Sequence, residues 1–237
     1  MTISITVAGV TDTLKPEHEK FEKALNDAAD AMNETLSVIN TPEFETMEGW
    51  KLKNENKIDK IYAKRFAIGK IFTLRTTLDV PREVLFHEHW DNFEEVAYKN
   101  KNTSLAEKIA ILTPHVEIIH YAMKDSGLVK GRDFVTTRIY RHIDGDIIEA
   151  ARSYDTDEVK QHKKKTRGTL LLGSGRFRIH PKDPQKTIVD YIICLNFNGP
   201  DLTKPVVESV LSKLILQDAE YARETVEEMK NQTCVTK

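Results

Sequence analysis

Apolar residues recur at two different intervals along this chain, and the switches between them mark out its elements. Between Pro16 and Ile39, the residues Phe21, Ala24, Leu25, Ala28, Ala29, Met32 and Leu36 return every three or four positions among Glu, Lys and Asp. One face of an α-helix repeats at that interval, so an amphipathic helix is expected there. Past Trp50-Lys51-Leu52 the pattern turns β-rich, with runs at 61–66 and 71–78 separated by Ile68-Gly69-Lys70, a reasonable hairpin. Asp79-Val80-Pro81 then opens a helix carrying Val84, Leu85 and Trp90, because Pro fits a first helical turn. After a polar segment reaching about Asn102 come strand candidates at 107–112, 116–123, 133–142, 147–154, 169–179 and 187–197. Asp144-Gly145 between two of these is a strong signal for a tight hairpin turn. The helical interval returns from about Lys204 to Met229, where Val207, Leu211, Leu214, Ile215, Ala222, Val226 and Met229 form one stripe behind Pro205.

Consecutive strands with hairpin-length links imply one curved antiparallel sheet, and the long terminal helix must bury its stripe against the concave face. The expected class is therefore α+β, with a single main domain over 50–232. Residues 1–49 are expected to form a helix and connector packed on that domain, and 233–237 a flexible tail.

One loop departs from the usual polarity of loops. Between the runs 116–123 and 133–142, Gly127-Leu128-Val129-Lys130-Gly131 sets two aliphatic side chains at a loop tip. Leaving a large aliphatic side chain in water forgoes roughly 1.5–3 kcal/mol of burial. Leu128 and Val129 are therefore expected to meet something apolar: a lid partner, a membrane or a bound ligand.

Composition narrows the function. With 40% hydrophobic and 30% charged residues, the 237-residue chain reads as globular rather than disordered. Its formal charge of −2 gives no bulk attraction to nucleic acid or anionic membranes. The basic run Lys160–Arg167 is either a solvated loop or a local contact for acidic lipid. Without interleaved aromatic residues it is no nucleic-acid site. Cys194 lies within an apolar strand run and reads as a small buried hydrophobe, which suits a reducing compartment. The first twenty residues follow neither a secretory nor a transit pattern, and no apolar run reaches the ~18 residues needed to span a bilayer. A cytoplasmic protein peripheral to membranes is expected.

Catalytic signals are weak. His87, His89 and Asp91 stand near one another, but positions two apart on a helix face different sides. Gly173-Ser174-Gly175 lacks the third glycine and the strand-to-helix context of a dinucleotide loop. No nucleophile motif is present. The expectation is a non-enzyme without cofactor or metal.

Five segments resemble the START family, the steroidogenic acute regulatory protein-related lipid transfer domains. They are Ile61-Tyr-Ala-Lys-Arg65, Asp79-Val-Pro-Arg-Glu-Val-Leu-Phe86, Trp90-Asp-Asn-Phe93, His115-Val-Glu-Ile-Ile-His-Tyr121, and Gly127-Leu-Val with Gly131-Arg-Asp-Phe-Val135. Their order and spacing match over about Trp50 to Met229. The resemblance implies a helix-grip fold with one lipid in a tunnel between sheet and helix, and an omega loop at 125–131 over the tunnel mouth.

It also implies site residues. Arg138 shares a strand face with Phe134, Thr136 and Tyr140 by two-residue alternation, and matching the family motif turns that face into the tunnel. Sterol-type members keep an Arg there against an acid. A hairpin centred near Leu128 would pair Arg138 with position 118 or 119, leaving Glu117 one pleat away, so Tyr121 could supply the hydroxyl instead. Arg138 is then either a polar anchor for the ligand or an outward, structural arginine. Val207, Leu211 and Leu214 would line the tunnel floor. The implied function is an intracellular carrier of one hydrophobic lipid, a sterol foremost. A phospholipid or sphingolipid carrier, or a lipid-gated signalling module, is the alternative. Its partners would be the lipid and, transiently, membrane surfaces, and the protein would be a monomer.

Overall fold

The computed structural model describes residues 2–126, 129–199 and 203–235. In chain order the elements are strands β1 (Ser4–Val7) and β2 (Val10–Thr13), a 3-10 turn (Pro16–Phe21), helices α1 (Glu22–Ile39) and α2 (Pro42–Thr46), and strands β3 (Lys51–Glu55), β4 (Lys60–Phe66) and β5 (Gly69–Leu78). Helices α3 (Arg82–Trp90) and α4 (Phe93–Lys99) follow, then β6 (Thr103–Thr113), β7 (Val116–Met123), β8 (Arg132–Ile143) and β9 (Asp146–Ser153). The chain ends with β10 (Thr166–Arg167), β11 (Thr169–His180), β12 (Asp183–Asn196) and α5 (Lys204–Val235).

Nine strands lie in the order β3-β4-β5-β12-β11-β9-β8-β7-β6, each antiparallel to its neighbours, while the short β10 pairs with β8 in parallel. Among these nine, strands consecutive in the chain pair except where α3 and α4 intervene: β5 finds β12 and not β6 as its next neighbour. That long-range pairing closes the sheet into one curved body. The Asp144-Gly145 turn has φ of 50° and 85°, the doubly positive geometry that matches the twist of the strands it joins.

Alternation along the strands separates two apolar layers. Outward positions such as Ile118, Val135, Ile139, Ile148 and Leu172 pack with Leu25, Ala28, Met32 and Phe44 of α1 and α2. Leu25, Ala28 and Met32 are fully buried, as the helical stripe requires, so the first helix covers the convex face. Inward positions face α5. Ile61, Ala63, Phe72 and Leu74 pack with Leu211, Leu214 and Ile215, and Leu78, Phe177 and Val189 with Val226.

Some segments differ from the expected boundaries. The small β1–β2 hairpin was not legible in its pattern, since its four-residue strands carry few apolar positions. Its hold on the domain is both apolar and polar: Ile5 and Val7 are buried in the layer of α1, and Arg141 donates to the Val7 carbonyl at 3.1 Å and pairs with Asp12, both side chains being buried. The polar segment before Asn102 contains α4, and the connector at 40–49 contains α2. The terminal helix runs to Val235, so the expected tail from 233 begins inside it, while 236 and 237 lie outside the described residues.

Candidate functional site: a cavity between sheet and helix

Between the concave face and α5 lies a cavity of about 380 Å³. Ligand pockets of about 300–1,000 Å³ are the usual size for small molecules. Its walls are mainly apolar, with Leu74, Leu78, Phe93, Ile119, Phe177 and Val189 on the sheet side and α3–α4, and Ile215, Ala219, Ala222 and Val226 on α5. Gly175 of β11 belongs to the wall, and a Cβ there would stand 2.9 Å from the Phe177 ring. The Gly-Ser-Gly run thus serves close packing beside the cavity.

Arg138 stands on the inward face of β8 and is 1% exposed. The register places Glu117 directly opposite it, with Tyr121 opposite Phe134, and not Ile118 or Ile119 as the hairpin centred on Leu128 required. The midpoint of the strand pairing falls half a residue before the expected one. In a two-residue repeat, so small a shift decides which side chains meet. Arg138 Nε donates to Glu117 Oε1 at 2.7 Å, and Lys108 Nζ lies 3.2 Å from the other oxygen. Arg138 Nη2 donates to the Trp90 carbonyl at 2.8 Å; Nη1 donates to Glu149 Oε1 at 3.3 Å and to the His89 carbonyl at 3.4 Å. Its guanidinium also lies 4.2 Å from the Trp90 ring centre and 4.8 Å from that of Phe93. With a second bond from Nη2 to Glu117 Oε1, all five N–H directions of the guanidinium are taken by protein groups, two of them carbonyls at the open end of α3.

Glu149 faces the cavity from β9, with His89 Nε2 against its second oxygen. Burial by itself would raise the Glu149 carboxyl. The His89 ring and the Arg138 guanidinium outweigh that and hold its pKa at about 2. This end of the cavity therefore presents an ionised, well-held acceptor.

A second polar group lies on the opposite wall. Asp218 on α5 lines the cavity and accepts from Asn100 Nδ2 at 3.1 Å and Asn102 Nδ2 at 3.4 Å. Burial pushes its carboxyl upward against those two hydrogen bonds. Tyr121 and Tyr191 also line the cavity, and burial together with the nearby Asp218 pushes both phenols up.

The other expected site residues are placed differently. Phe134 is fully buried and stacks on Tyr121 with ring centres 5.1 Å apart, so it backs the wall without reaching the cavity. Thr136 is buried on the same strand, also away from the lining. Leu211 and Leu214 pack on β4 and β5, with Val207 at their edge, because the first turns of α5 lie directly against Ile61, Ala63 and Phe72. Among the described residues, the helix meets the cavity from Ile215 to Met229. Val129, expected at an exposed tip, is 6% exposed and lies in a narrow cleft with Met123, Phe197, Val210 and Leu214. Burying an aliphatic side chain against the helix satisfies it without an outside partner. Leu128 lies outside the described residues.

Glu149, Asp218 and His89 were not anticipated. The first two carry a legible signal: Glu149 interrupts the inward alternation Ile147-Glu149-Ala151, and Asp218 interrupts the apolar stripe of α5 between Ile215 and Ala222. His89 carries none. Among the described residues no group of three or more His, Cys, Asp or Glu side chains is placed to hold a metal ion. Among them, too, no helix is long and apolar enough to cross a membrane.

A curved sheet gripping a terminal helix around an apolar cavity with few polar groups defines a binder of hydrophobic small molecules. The START domain model matches residues 31–233, and the chain belongs to the START family. It is 31% identical over 229 residues to steroidogenic acute regulatory-like protein 1 of Caenorhabditis elegans, covering 96% of this chain and 88% of that one. It is 24% identical over 209 residues to the human mitochondrial steroidogenic acute regulatory protein, covering 86% and 70%. The fold matches human StAR-related lipid transfer protein 5 with a TM-score of 0.74 at 16% identity, over 89% of this chain and 99% of that one. Human STARD10 gives 0.69 at 18% identity, over 88% and 84%. Lipid binding and lipid transfer are thus the function of this protein.

Proposed function

We propose that the protein is a non-enzymatic carrier of one sterol molecule, moving it between membranes through the cytosol as a monomer. The observation that carries this reading is the cavity itself: about 380 Å³, apolar on most sides, with an ionised carboxylate at one point of its wall. A rigid, largely apolar ligand gains by leaving water for such walls, and its single hydroxyl is oriented by donating to Glu149. Arg138 has no free N–H for the ligand and acts by holding Glu149 and Glu117 in place. The relatives named for steroidogenic acute regulation support a sterol over other lipids. Passage in and out is assigned to the end where Val129 meets the early turns of α5, touching the bilayer transiently. Because Val129 and Val210 must part for this, opening is a local separation of loop and helix.

Native mass spectrometry of the purified protein, after incubation with vesicles containing cholesterol, phosphatidylcholine and ceramide, tests the proposal. One retained cholesterol per chain is expected. Retention of a two-chain lipid alone overturns the sterol assignment, and retention of nothing overturns the carrier.

A further inference from the structure

The basic run Lys160–Arg167 lines no part of the cavity, yet the fold sets it beside the cleft that holds Val129. The run is pinned to β8. Asp133, fully buried, accepts from the His162 backbone N–H at 2.9 Å and from Arg167 Nε at 3.1 Å, and β10 runs parallel to Arg132 and Asp133. A further anchor is Lys165, whose side chain is mostly buried and whose ammonium lies 3.3 Å from Asp125 Oδ1. The same oxygen accepts the Gly131 N–H at 2.7 Å. Arg132 donates to the Phe197 carbonyl at 2.7 Å and to that of Asn198 at 2.8 Å, on the approach to α5. Three segments far apart in the chain are thus cross-linked into one rim around the cleft of Val129, Val210 and Leu214.

Within that rim the acids are engaged and several lysines are not. The Gly131 N–H, Lys130 and Lys165 favour the charged form of Asp125 and hold its carboxyl at about 2. Glu158, just ahead of the run, turns instead to Lys20 at 2.9 Å. The Lys165 N–H closes a turn on the His162 carbonyl at 3.1 Å, and Lys164 takes a φ of 66° there, so Lys163 and Lys164 form the tip. Lys124, Lys160, Lys163 and Lys164 are exposed, and among the described residues none of them pairs with a carboxylate. Neighbouring like charges repel one another, and the repulsion is relieved when anions lie opposite them.

We infer that the tip at Lys163 and Lys164, together with Lys124 and Lys160, is a docking surface for an anionic bilayer leaflet, and that it holds the rim of the cleft against the membrane. This rests on the carrier reading above and names the kind of membrane the carrier uses. The same lysines would meet an acidic protein, but a rim shared with an apolar cleft suits a surface whose charge lies over hydrocarbon.

Flotation with vesicles of phosphatidylcholine, alone or mixed with phosphatidylserine, tests it. The unmodified protein is expected to attach at least about tenfold better to the mixed vesicles, since each basic residue at an anionic leaflet is worth about fivefold. That preference should vanish in about 1 M salt, where the screening length shrinks to about 3 Å. K163E/K164E is expected to weaken attachment to mixed vesicles by about 25-fold or more and to slow sterol delivery to them. Its cholesterol retention in native mass spectra should be unchanged, since both positions are exposed and away from the cavity. K57E/K182E makes the same change of charge in turns at the opposite end of the sheet, and is expected to attach like the parent. Equal attachment of the unmodified protein to both vesicles overturns the docking surface and leaves the sterol carrier standing. So does K163E/K164E attaching as the parent does, or K57E/K182E weakening attachment as much. Retention of no cholesterol by the unmodified protein overturns the carrier reading instead, while flotation still decides the docking.

Discussion

Arg138 is a buried cation between two buried carboxylates, and such an arrangement is sensitive to removal of one member. Replacing it with Met removes the shared guanidinium and leaves Glu117 with Lys108 and Glu149 with His89 as their remaining partners, a change of about 3–5 kcal/mol for breaking a buried pair. Arg138→Met is therefore expected to lower the urea midpoint sharply, and the added change Glu117→Met to recover part of the loss. If Arg138→Met unfolded at the same midpoint as the parent, the pair would have no structural weight. Asp218 makes a prediction with pH. Burial raises its carboxyl above 3.8, so the folded state holds the proton more tightly than the unfolded chain. The stability this brings is present below about pH 3.8 and lost as pH rises through the folded value. Asp218→Asn keeps an acceptor for Asn100 and Asn102 and carries no charge. It is expected to melt above the parent at pH 7, with the gap closing near pH 3; a gap constant with pH would show that charge plays no part.

At the scale of elements, each helix serves one face of the sheet. The stripe of α1 fills the convex side, and the later turns of α5 cover the cavity. Ala219 and Ala222 are small residues at cavity-facing positions of α5. Ala222→Phe places a ring where the ligand is proposed to lie, so sterol retention should drop by about tenfold or more. Folding should survive, since overpacking costs about 1–3 kcal/mol. Retention unchanged in native mass spectra would move the ligand elsewhere. The periodicity of α1 and α5 was legible because amphipathic helices repeat their apolar residues within the chain. The part of α5 that lines the cavity was not legible. Val207, Leu211 and Leu214 have the same stripe character as Ile215 to Met229, and only contact with β4 and β5 tells packed turns from lining turns.

For the molecule as a whole, ligand and fold are linked by mass action. A lipid at a hundred times its dissociation constant stabilises the folded state by about 2.7 kcal/mol. For a domain of this size that corresponds to roughly 5–10 °C in melting temperature. Delipidated protein should melt lower by this amount than protein loaded with sterol, as calorimetry would read. A melting temperature indifferent to loading would mean that the cavity walls close equally well without a ligand.

The alternation of strands, the two helical stripes and the Asp144-Gly145 turn were set by local sequence, because each depends on residues within a few positions of one another; alternation grouped Arg138 with Phe134, Thr136 and Tyr140, but which side of the sheet that face takes was implied only by the family resemblance. The meeting of Arg138 with Glu117 was not, since a hairpin loop of this length leaves its centre free by half a residue, and that half residue chooses the partner. The convergence of Glu149 with His89, and of Asp218 with Tyr121 and Tyr191, was decided by tertiary structure alone. Those groups lie on separate elements, and no local rule brings them together until the curved sheet closes on the helix.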